Sequence, residues 1–190
     1  TANGTSVAVG SALELTGGIS VGAEALTLSS TGISSGGGLR NISGNNSYAG
    51  VITLGGAARI NSDANTLTLS GGITGTNNLT IGGASNTIIS GNVTTSTGTL
   101  TKDGAGTLVL SGNNTYTGTT TISAGTLQIG GAGLLGGGNY SGAISNSGRL
   151  NYASSSNQTL SGVISGAGNI VQNGASTLTL SGNNTYTGTT

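Results

Sequence analysis

The chain has 190 residues, of which 39 are glycine, and it contains no proline, cysteine, methionine, tryptophan, phenylalanine or histidine. Four Lys/Arg residues balance four Asp/Glu residues, so the formal net charge is zero, and charged residues make up only 4% of the chain. This composition excludes a disulfide scaffold, a thiol or zinc site, a proline-dependent collagen helix, and a nucleic-acid surface, which needs clustered cations.

Short apolar runs indicate strands rather than disorder or membrane spans. Glycine-rich low-complexity chains often fail to bury enough apolar surface to fold. Here, however, runs such as TLTLS, NTIIS and TLVLS alternate with period two, which is typical of strands with one buried face. No stretch approaches the roughly 20 apolar residues of a membrane-spanning helix. We therefore expect an ordered all-β chain that inserts into no membrane and binds no nucleic acid, cofactor or metal.

Repeats occur along most of the chain. The tripeptide Leu/Ile-Ser-Gly begins at Ile42, Leu69, Ile89, Leu110, Leu160 and Leu180, with a recurrent spacing of 20 or 21 residues and two larger gaps. ISGNNSYAG at 42–50 is echoed by LSGNNTYTG at 110–118 and again at 180–188. The turns between apolar runs are too short for helices, so the pattern predicts a β-solenoid of about 20 to 27 residues per coil.

The fullest unit spans 98–131 and predicts strands at 107–111, 117–123 and 126–129. Period-two alternation directs one set of side chains inward: Leu108, Leu110, Ile122, Leu127 and Ile129. It directs another set outward: Thr107, Val109, Thr119, Thr121, Thr126 and Gln128. Coils stacked about 4.8 Å apart would form a rod on the order of 40 Å long. We expect one solenoid over 1–190, as a fragment of a longer repeat protein.

Asparagine and tyrosine recur at the predicted corners. Glycine and asparagine tolerate the left-handed backbone that a tight corner requires. Asn45, Asn113 and Asn183 are predicted to stack in register as buried amides that bond between coils. One tyrosine per long repeat is too sparse for a ligand-stacking track, so Tyr48, Tyr116 and Tyr186 are interpreted as packing residues.

Residues 101–130 resemble the autotransporter-associated β-strand repeat, also called the passenger-associated transport repeat. The positions that match the typical repeat are Leu100, Lys102, Gly104, Gly106, Leu108, Leu110, Gly112, Asn114, Tyr116, Gly118, Thr120, Ile122, Gly125 and Leu127. Residues 166–190 match the first two-thirds of another copy, and 39–54 and 67–91 resemble diverged copies. The structural repeat positions we select are Leu108, Leu110, Gly112, Asn113, Asn114, Tyr116, Gly118, Ile122, Gly125, Leu127, Ile129, Leu180, Asn183 and Tyr186.

The resemblance implies a right-handed parallel β-helix in the passenger region of a secreted bacterial surface protein. It implies a non-enzymatic role as an extracellular stalk, adhesin shaft or fibre, located outside the cell or on its outer surface. The expected partners are neighbouring repeats of the same chain or identical chains end to end, with host or matrix surfaces as further candidates.

Few residues could support catalysis. The acids are Glu14, Glu24, Asp63 and Asp103, and no histidine or cysteine accompanies them. Glu14 and Glu24 lie about half a coil apart, which does not favour the close carboxylate pair of a glycosidase. Lys102 and Asp103 are interpreted as a solvated salt bridge at a corner. No catalytic, cofactor or metal residues are predicted.

An alternative function is binding through outward threonine and asparagine faces, with ice or a surface glycan as the ligand. The Thr-Leu-Thr triplets at 66–68, 99–101 and 177–179 place two threonines on one face of a strand. If such triplets stacked, they would resemble the threonine arrays of ice-binding solenoids. Intervening strands such as TLVLS and NIVQN interrupt the array.

Overall fold

A computed structural model describes residues 4–190, which form a parallel β-solenoid of short strands. The first thirteen strands are β1 (Thr5–Val7), β2 (Leu13–Thr16), β3 (Ser20–Val21), β4 (Leu26–Leu28), β5 (Leu39–Ser43), β6 (Asn46–Tyr48), β7 (Ile52–Leu54), β8 (Ala58–Ser62), β9 (Thr66–Leu69), β10 (Ile73–Gly75), β11 (Leu79–Gly82), β12 (Asn86–Ile89) and β13 (Val93–Thr94). The remaining strands are β14 (Leu100–Lys102), β15 (Thr107–Leu110), β16 (Asn113–Asn114), β17 (Thr120–Ile122), β18 (Thr126–Gly131), β19 (Leu134–Leu135), β20 (Asn139–Tyr140), β21 (Ile144–Asn146), β22 (Arg149–Ser154), β23 (Gln158–Leu160), β24 (Ile164–Ser165), β25 (Asn169–Gln172) and β26 (Leu178–Leu180).

Three long parallel sheets run along the rod. The first sheet contains β1, β4, β7, β10 and β13. The second contains β2, β5, β8, β11, β14, β17, β21 and β24, and the third contains β3, β6, β9, β12, β15, β18, β22 and β25. Two short sheets, β16–β19 and β20–β23–β26, take the place of the first sheet in the later coils. Most coils therefore contribute one strand to each face of the rod, and the coil that contains β18 contributes both β19 and β20 to one face.

The register between coils agrees with the predicted coil length. Leu79 pairs with Leu100, and Leu100 pairs with Thr120, so successive coils in the middle of the rod are 21 and 20 residues apart. Longer coils occur near both ends of the described part: Ser20 pairs with Ser47 and Gln128 with Asn151. The predicted all-β parallel solenoid is confirmed.

The two long coils gain their extra residues at corners. One excursion follows β4 and contains a three-residue 3-10 turn, Ile33–Ser35, and the other follows β18 and contains the turn Gly136–Gly138. The strands on either side remain parallel to their neighbours, with one register shift between Leu15 and Thr16 in the β2–β5 pair. Corner length is thus variable while the parallel pairing is kept.

Aliphatic side chains fill the interior in columns. The five residues predicted to point inward in the 98–131 unit, Leu108, Leu110, Ile122, Leu127 and Ile129, are all completely buried. Leu127 is in register with Leu108 below it and with Leu150 above it. Because every inward residue packs on an equivalent residue one coil away, the core is continuous along the axis.

The predicted strands of the 98–131 unit need one correction. The first and third strands match β15 and β18, but the predicted strand 117–123 is shortened to β17, and the two-residue strand β16 was missed. The backbone between β16 and β17 turns a corner, where Gly118 lies so close to the preceding coil that an added Cβ would overlap the carbonyl oxygens of Thr97 and Gly98. That close approach limits the strand to the residues after the corner.

Candidate functional site

Asparagine side chains join neighbouring coils at the corners. Six of them, Asn45, Asn78, Asn86, Asn92, Asn157 and Asn169, accept a hydrogen bond at Oδ1 from a backbone N–H 20 or 21 residues further on, at 2.8 to 3.1 Å. Two others reach in the opposite direction: Asn114 accepts from the Val93 N–H at 3.0 Å and Asn184 from the Ile164 N–H at 2.8 Å. These bonds tie each coil to its neighbour outside the regular ladders.

The predicted burial of Asn45, Asn113 and Asn183 is wrong, because all three side chains are exposed. The second asparagine of each pair lies inward: Asn46 and Asn114 are buried and Asn184 is half-buried. Asn45 does bond between coils, as predicted, by accepting from the Thr66 N–H. Asn114 also donates from Nδ2 to the carbonyl oxygens of Gly112 and Leu134, at 2.8 and 2.9 Å. The inward alternation that starts at Leu110 continues through the corner to Asn114, and this parity in the sequence could have identified it.

The other selected repeat positions divide between the interior and the open end. Leu108, Leu110, Gly112, Tyr116, Ile122, Leu127 and Ile129 are buried, and Gly118 and Gly125 are partly buried. Leu180 and Tyr186 belong to the last coil, where they are half-buried and pack against the core.

Tyrosines of successive repeats form a buried hydroxyl network. The Tyr116 hydroxyl lies 2.9 Å from Thr120 Oγ1, which lies 2.8 Å from the Tyr140 hydroxyl, and that hydroxyl donates to the Gly118 carbonyl. The Tyr116 and Tyr140 rings meet edge to face with centroids 5.5 Å apart. Burial raises the pKa of Tyr140 to about 12 and that of Tyr116 well above its ordinary value. Both rings therefore pack and bond within the rod rather than present a stacking surface.

Lys102 is buried, so its assignment to a solvated salt bridge with Asp103 is wrong. Its side chain is 2% exposed and stands in register between Ile81 and Ile122. The ammonium donates to the carbonyl oxygens of Asp103, Gly104 and Ala124, at 2.5, 2.9 and 3.4 Å. Loss of hydration lowers the pKa of Lys102 to about 8. The lysine follows the same inward parity as Leu100, which its charge obscured.

Most of the remaining charges form one network on the outside of the second sheet. We define the charge ladder as Glu14, Arg40, Asp63, Asn61, Arg59 and Asp103. Arg40 contacts Asp63 at 2.5 Å and Glu14 at 3.3 Å, and Arg59 binds Asp103 through two bonds of 2.7 Å. Asn61 joins the two halves by accepting from Arg59 and donating to Asp63, at 3.0 and 3.1 Å. The bond to Asp63 raises the pKa of Arg40 above its ordinary value.

The acids of the chain are consequently engaged with cations or placed apart. Glu14 and Asp63 share Arg40, and Asp103 pairs with Arg59. Glu24 lies in a different corner, where it accepts from the Thr5 hydroxyl at 3.5 Å. Within residues 4–190, no group of three or more acids could hold a metal ion.

An open pocket lies beside Glu14 and Arg40, at the N-terminal end of the charge ladder. It has a volume of about 420 Å³ and is bounded by Ala12, Glu14, Ile33, Ser34, Gly36, Gly37 and Arg40. The excursion after β4 forms one wall, and β2 and β5 form the other. No local pattern in the sequence indicates this pocket, because it depends on pairing between Glu14 and Arg40 across two coils of unequal length.

Outward threonines form columns, although the triplets do not stack on one another. The three Thr-Leu-Thr triplets fall on β9, β14 and β26, which belong to three different sheets. One column occurs on the first sheet, where Ser6, Thr27, Thr53, Thr74 and Thr94 are in register. Another occurs on the second sheet, where Thr80, Thr101, Thr121, Ser145 and Ser165 are in register. The Thr53 and Thr74 hydroxyl oxygens are 3.4 Å apart.

None of the helical segments between residues 4 and 190 has the length and apolar character needed to cross a bilayer.

Comparison with known families supports the repeat assignment. The passenger-associated-transport-repeat family model matches residues 100–129 and 170–190. These ranges coincide with the unit 98–131 and with the copy at 166–190 that the sequence indicated. Neither the curated proteins nor the solved structures gave a significant match. The diverged copies at 39–54 and 67–91 stay a prediction. The chain is therefore a parallel β-solenoid in which two stretches, 100–129 and 170–190, match the passenger-associated-transport-repeat family model.

Proposed function

We propose that this chain is a non-enzymatic shaft segment of an autotransporter passenger, displayed outside a bacterial cell. The observation that carries the proposal is the continuity of the parallel ladders: the second and third sheets each contain eight strands. Neighbouring coils in these sheets are joined by backbone hydrogen bonds and by the asparagine side-chain hydrogen bonds, and their aliphatic side chains pack on one another. Such a one-dimensional stack suits a protein that must span a distance.

The charges also support a structural role. Three of the four cations, Arg40, Arg59 and Lys102, bond to groups of their own chain. The acids that pair with the arginines stabilise contacts between coils, each contributing roughly 0–1 kcal/mol at the surface. A rod with few free charges is compatible with a shaft, and it also suits lateral or end-to-end association into a fibre.

Electron imaging of the native full-length material tests the shaft. We expect rods of one fixed length that end at a membrane or at a globular tip. Filaments of indefinite length, with an axial repeat near the roughly 40 Å span of this segment, would contradict the shaft and support a self-assembled fibre.

The hydroxyl column on the first sheet favours a second candidate, binding to a regular surface such as ice. Ser6, Thr27 and Thr53 are exposed and separated by the spacing of adjacent strands. An ice-binding chain would produce thermal hysteresis that Thr53→Glu reduces, whereas Thr68→Glu on the third sheet would leave it unchanged. A chain that is only a shaft would produce no hysteresis.

A further inference from the structure

We propose that the pocket beside β2 and β5 binds one residue of a neutral glycan. The proposal goes beyond the proposed shaft, because it assigns a ligand class to one side of the rod. The pocket volume of about 420 Å³ is within the range of small-ligand sites.

The wall of the pocket is an addition to the basic coil. Leu13 pairs with Leu39, whereas most other successive strands of the second sheet are 20 or 21 residues apart and one pair, Thr120 with Ile144, is 24 apart. The added residues lie between β4 and β5. The hydroxyl of Ser30, which is buried, fixes the base of this excursion by donating to the Ser11 carbonyl and accepting from the Gly32 N–H. These two hydrogen bonds therefore fix the conformation of the excursion at its base.

Two serines in the excursion have an unfavourable backbone conformation. Ser34 has a φ of 50° and Ser35 a φ of 59°, and they are the only consecutive non-glycine residues with positive φ in the described part of the chain. A left-handed conformation costs an L-residue roughly 1–2 kcal/mol. Glycine would relieve this cost, as it does nearby at Gly32 and Gly37. Retained strain of this kind is concentrated at ligand sites.

The polar groups of the pocket match the hydroxyls of a sugar. Arg40 uses Nε for Asp63 and Nη1 for Glu14, and Glu14 uses only Oε1 for Arg40. A guanidinium has five donors and a carboxylate two acceptor oxygens. Both side chains line the pocket and are well exposed, at 37% and 50%. They can therefore donate to one hydroxyl and accept from the next.

The apolar side of the pocket provides the second half of the recognition. Ile33 is 67% exposed and lines the cavity on the excursion. A sugar ring presents C–H groups on one face and hydroxyls at its edge. The C–H face would pack on Ile33 while the edge bonds to Glu14 and Arg40.

The local charge selects a neutral ligand. Arg40 is flanked by two carboxylates, Glu14 and Asp63, so the three side chains together carry a net charge of −1. A phosphate or a carboxylate sugar would meet Glu14 at close range and be repelled. A neutral hydroxylated ring meets no such penalty.

The test is a titration of the whole chain with neutral methyl glycosides of glucose, galactose, mannose and N-acetylglucosamine, followed by two-dimensional amide NMR. We expect at least one glycoside to shift amides of residues 12–14 and 33–40 with a Kd on the order of 1 mM, as is common for a single small ligand. Glu14→Gln and Ile33→Asp should each weaken binding about tenfold. Arg149→Gln, on the third sheet, is the matched control and should bind unchanged.

Three results would overturn the proposal. The first is the absence of shifts with every neutral glycoside at about 10 mM. The second is a glycoside affinity of Glu14→Gln and Ile33→Asp that equals that of the wild type. The third is stronger shifts of the same amides by methyl sialoside or inorganic phosphate. The amide spectra of the variants report whether each remains folded. Failure of glycan binding would leave the imaging test of the shaft unaffected, so the two proposals can fail separately.

Discussion

Tyr48 and Tyr116 are both buried, but they differ in their place in the coil and in their hydrogen bonds. Tyr48 ends β6 on the third sheet, in register with Leu69, whereas Tyr116 follows β16 at the corner before β17. Four residues after Tyr116 stands Thr120, whose hydroxyl lies 2.9 Å from the tyrosine oxygen. Tyr186 meets Thr190 in the same way, at 2.8 Å. Four residues after Tyr48 the chain has Ile52, and the buried Tyr48 hydroxyl has no hydrogen-bond partner. The threonine four residues after Tyr116 and after Tyr186 thus supplies a hydrogen-bond partner that Tyr48 lacks.

Removing each hydroxyl should therefore have different consequences. We expect Tyr116→Phe to lower the free energy of unfolding by about 1 kcal/mol, because a buried hydrogen bond is lost. Tyr48→Phe should be neutral or stabilising by up to about 1 kcal/mol, because it removes an unpaired polar group. Urea unfolding of the two variants measures the difference, and equal losses in both would contradict this interpretation.

Burial of Lys102 makes stability depend on pH in the alkaline range. The ordinary lysine pKa of 10.5 is lowered to about 8 in the folded chain. Between these values the unfolded chain holds more protons than the folded chain, so the free energy of unfolding rises with pH. The destabilisation is fully present below pH 8 and is lost as the pH approaches 10.5.

Lys102→Met should abolish this rise while keeping the length of the side chain. We expect wild type to gain on the order of 1–2 kcal/mol relative to Lys102→Met between about pH 7 and 9.5. Above about pH 10 the buried tyrosines act in the opposite sense, because their raised pKa values keep them protonated in the folded state. Denaturant titrations at several pH values provide the measurement. Parallel pH curves for the two proteins would show that the ammonium is not destabilised by burial.

At the scale of strands and corners, period-two alternation predicts the aliphatic core well. It gives the inward positions of Leu108, Leu110 and Ile122 from sequence alone, since these residues lie on regular strands. It also continues to the last residues of β14 and β16, next to the corners, where it places Lys102 and Asn114 inside. Chemical type was a poorer guide than parity at these two positions. Polar groups are buried there because corner carbonyls and N–H groups need partners.

Two adjacent asparagines allow a direct test of this parity. Asn114→Ala removes one bond to the Val93 N–H and two bonds to carbonyls, so we expect a loss of about 2–4 kcal/mol in the free energy of unfolding. Asn113→Ala, on the exposed side of the same corner, should change it by about 0.5 kcal/mol or less. The midpoints of thermal unfolding of the two variants give the comparison. A larger loss at Asn113 would reverse the assignment of the two side chains.

The charge ladder and the pocket could not be predicted from the sequence in the same way. Arg40 meets Glu14 because the excursion after β4 lengthens one coil, and Arg59 reaches Asp103 across two coils. Both contacts depend on the sum of several corner lengths. A local pattern of residues therefore does not predict which charged side chains meet.

At the scale of the whole rod, each coil has contacts almost only with the coils on either side of it. Stability in such a stack is close to a sum of coil terms and interface terms. Coils in the middle have two interfaces, whereas the last coil has one, and its side chains such as Leu178, Leu180 and Tyr186 are only half-buried. Local opening should therefore be easiest at the end of the described chain.

Amide hydrogen exchange tests this gradient in the intact chain. The N–H groups of Leu79 and Leu100, which bond to the carbonyls of Thr99 and Thr119, should exchange most slowly. Those of Ile170 and Thr185, which join the last two coils, should exchange at least about tenfold faster. Uniform exchange along the rod would instead indicate a single all-or-none folding unit.

The variable corners bear on how such a molecule can diversify. The extra residues at 29–38 and 136–138 leave the flanking strands parallel to their neighbours, with one register shift, between Leu15 and Thr16, beside the first of them. The structural change caused by an inserted segment thus stays at the corner, and neighbouring coils need no compensating substitutions. A lineage could acquire, exchange or lose surface loops one at a time on an unchanged rod. The same property makes these two corners suitable places for grafting foreign peptides.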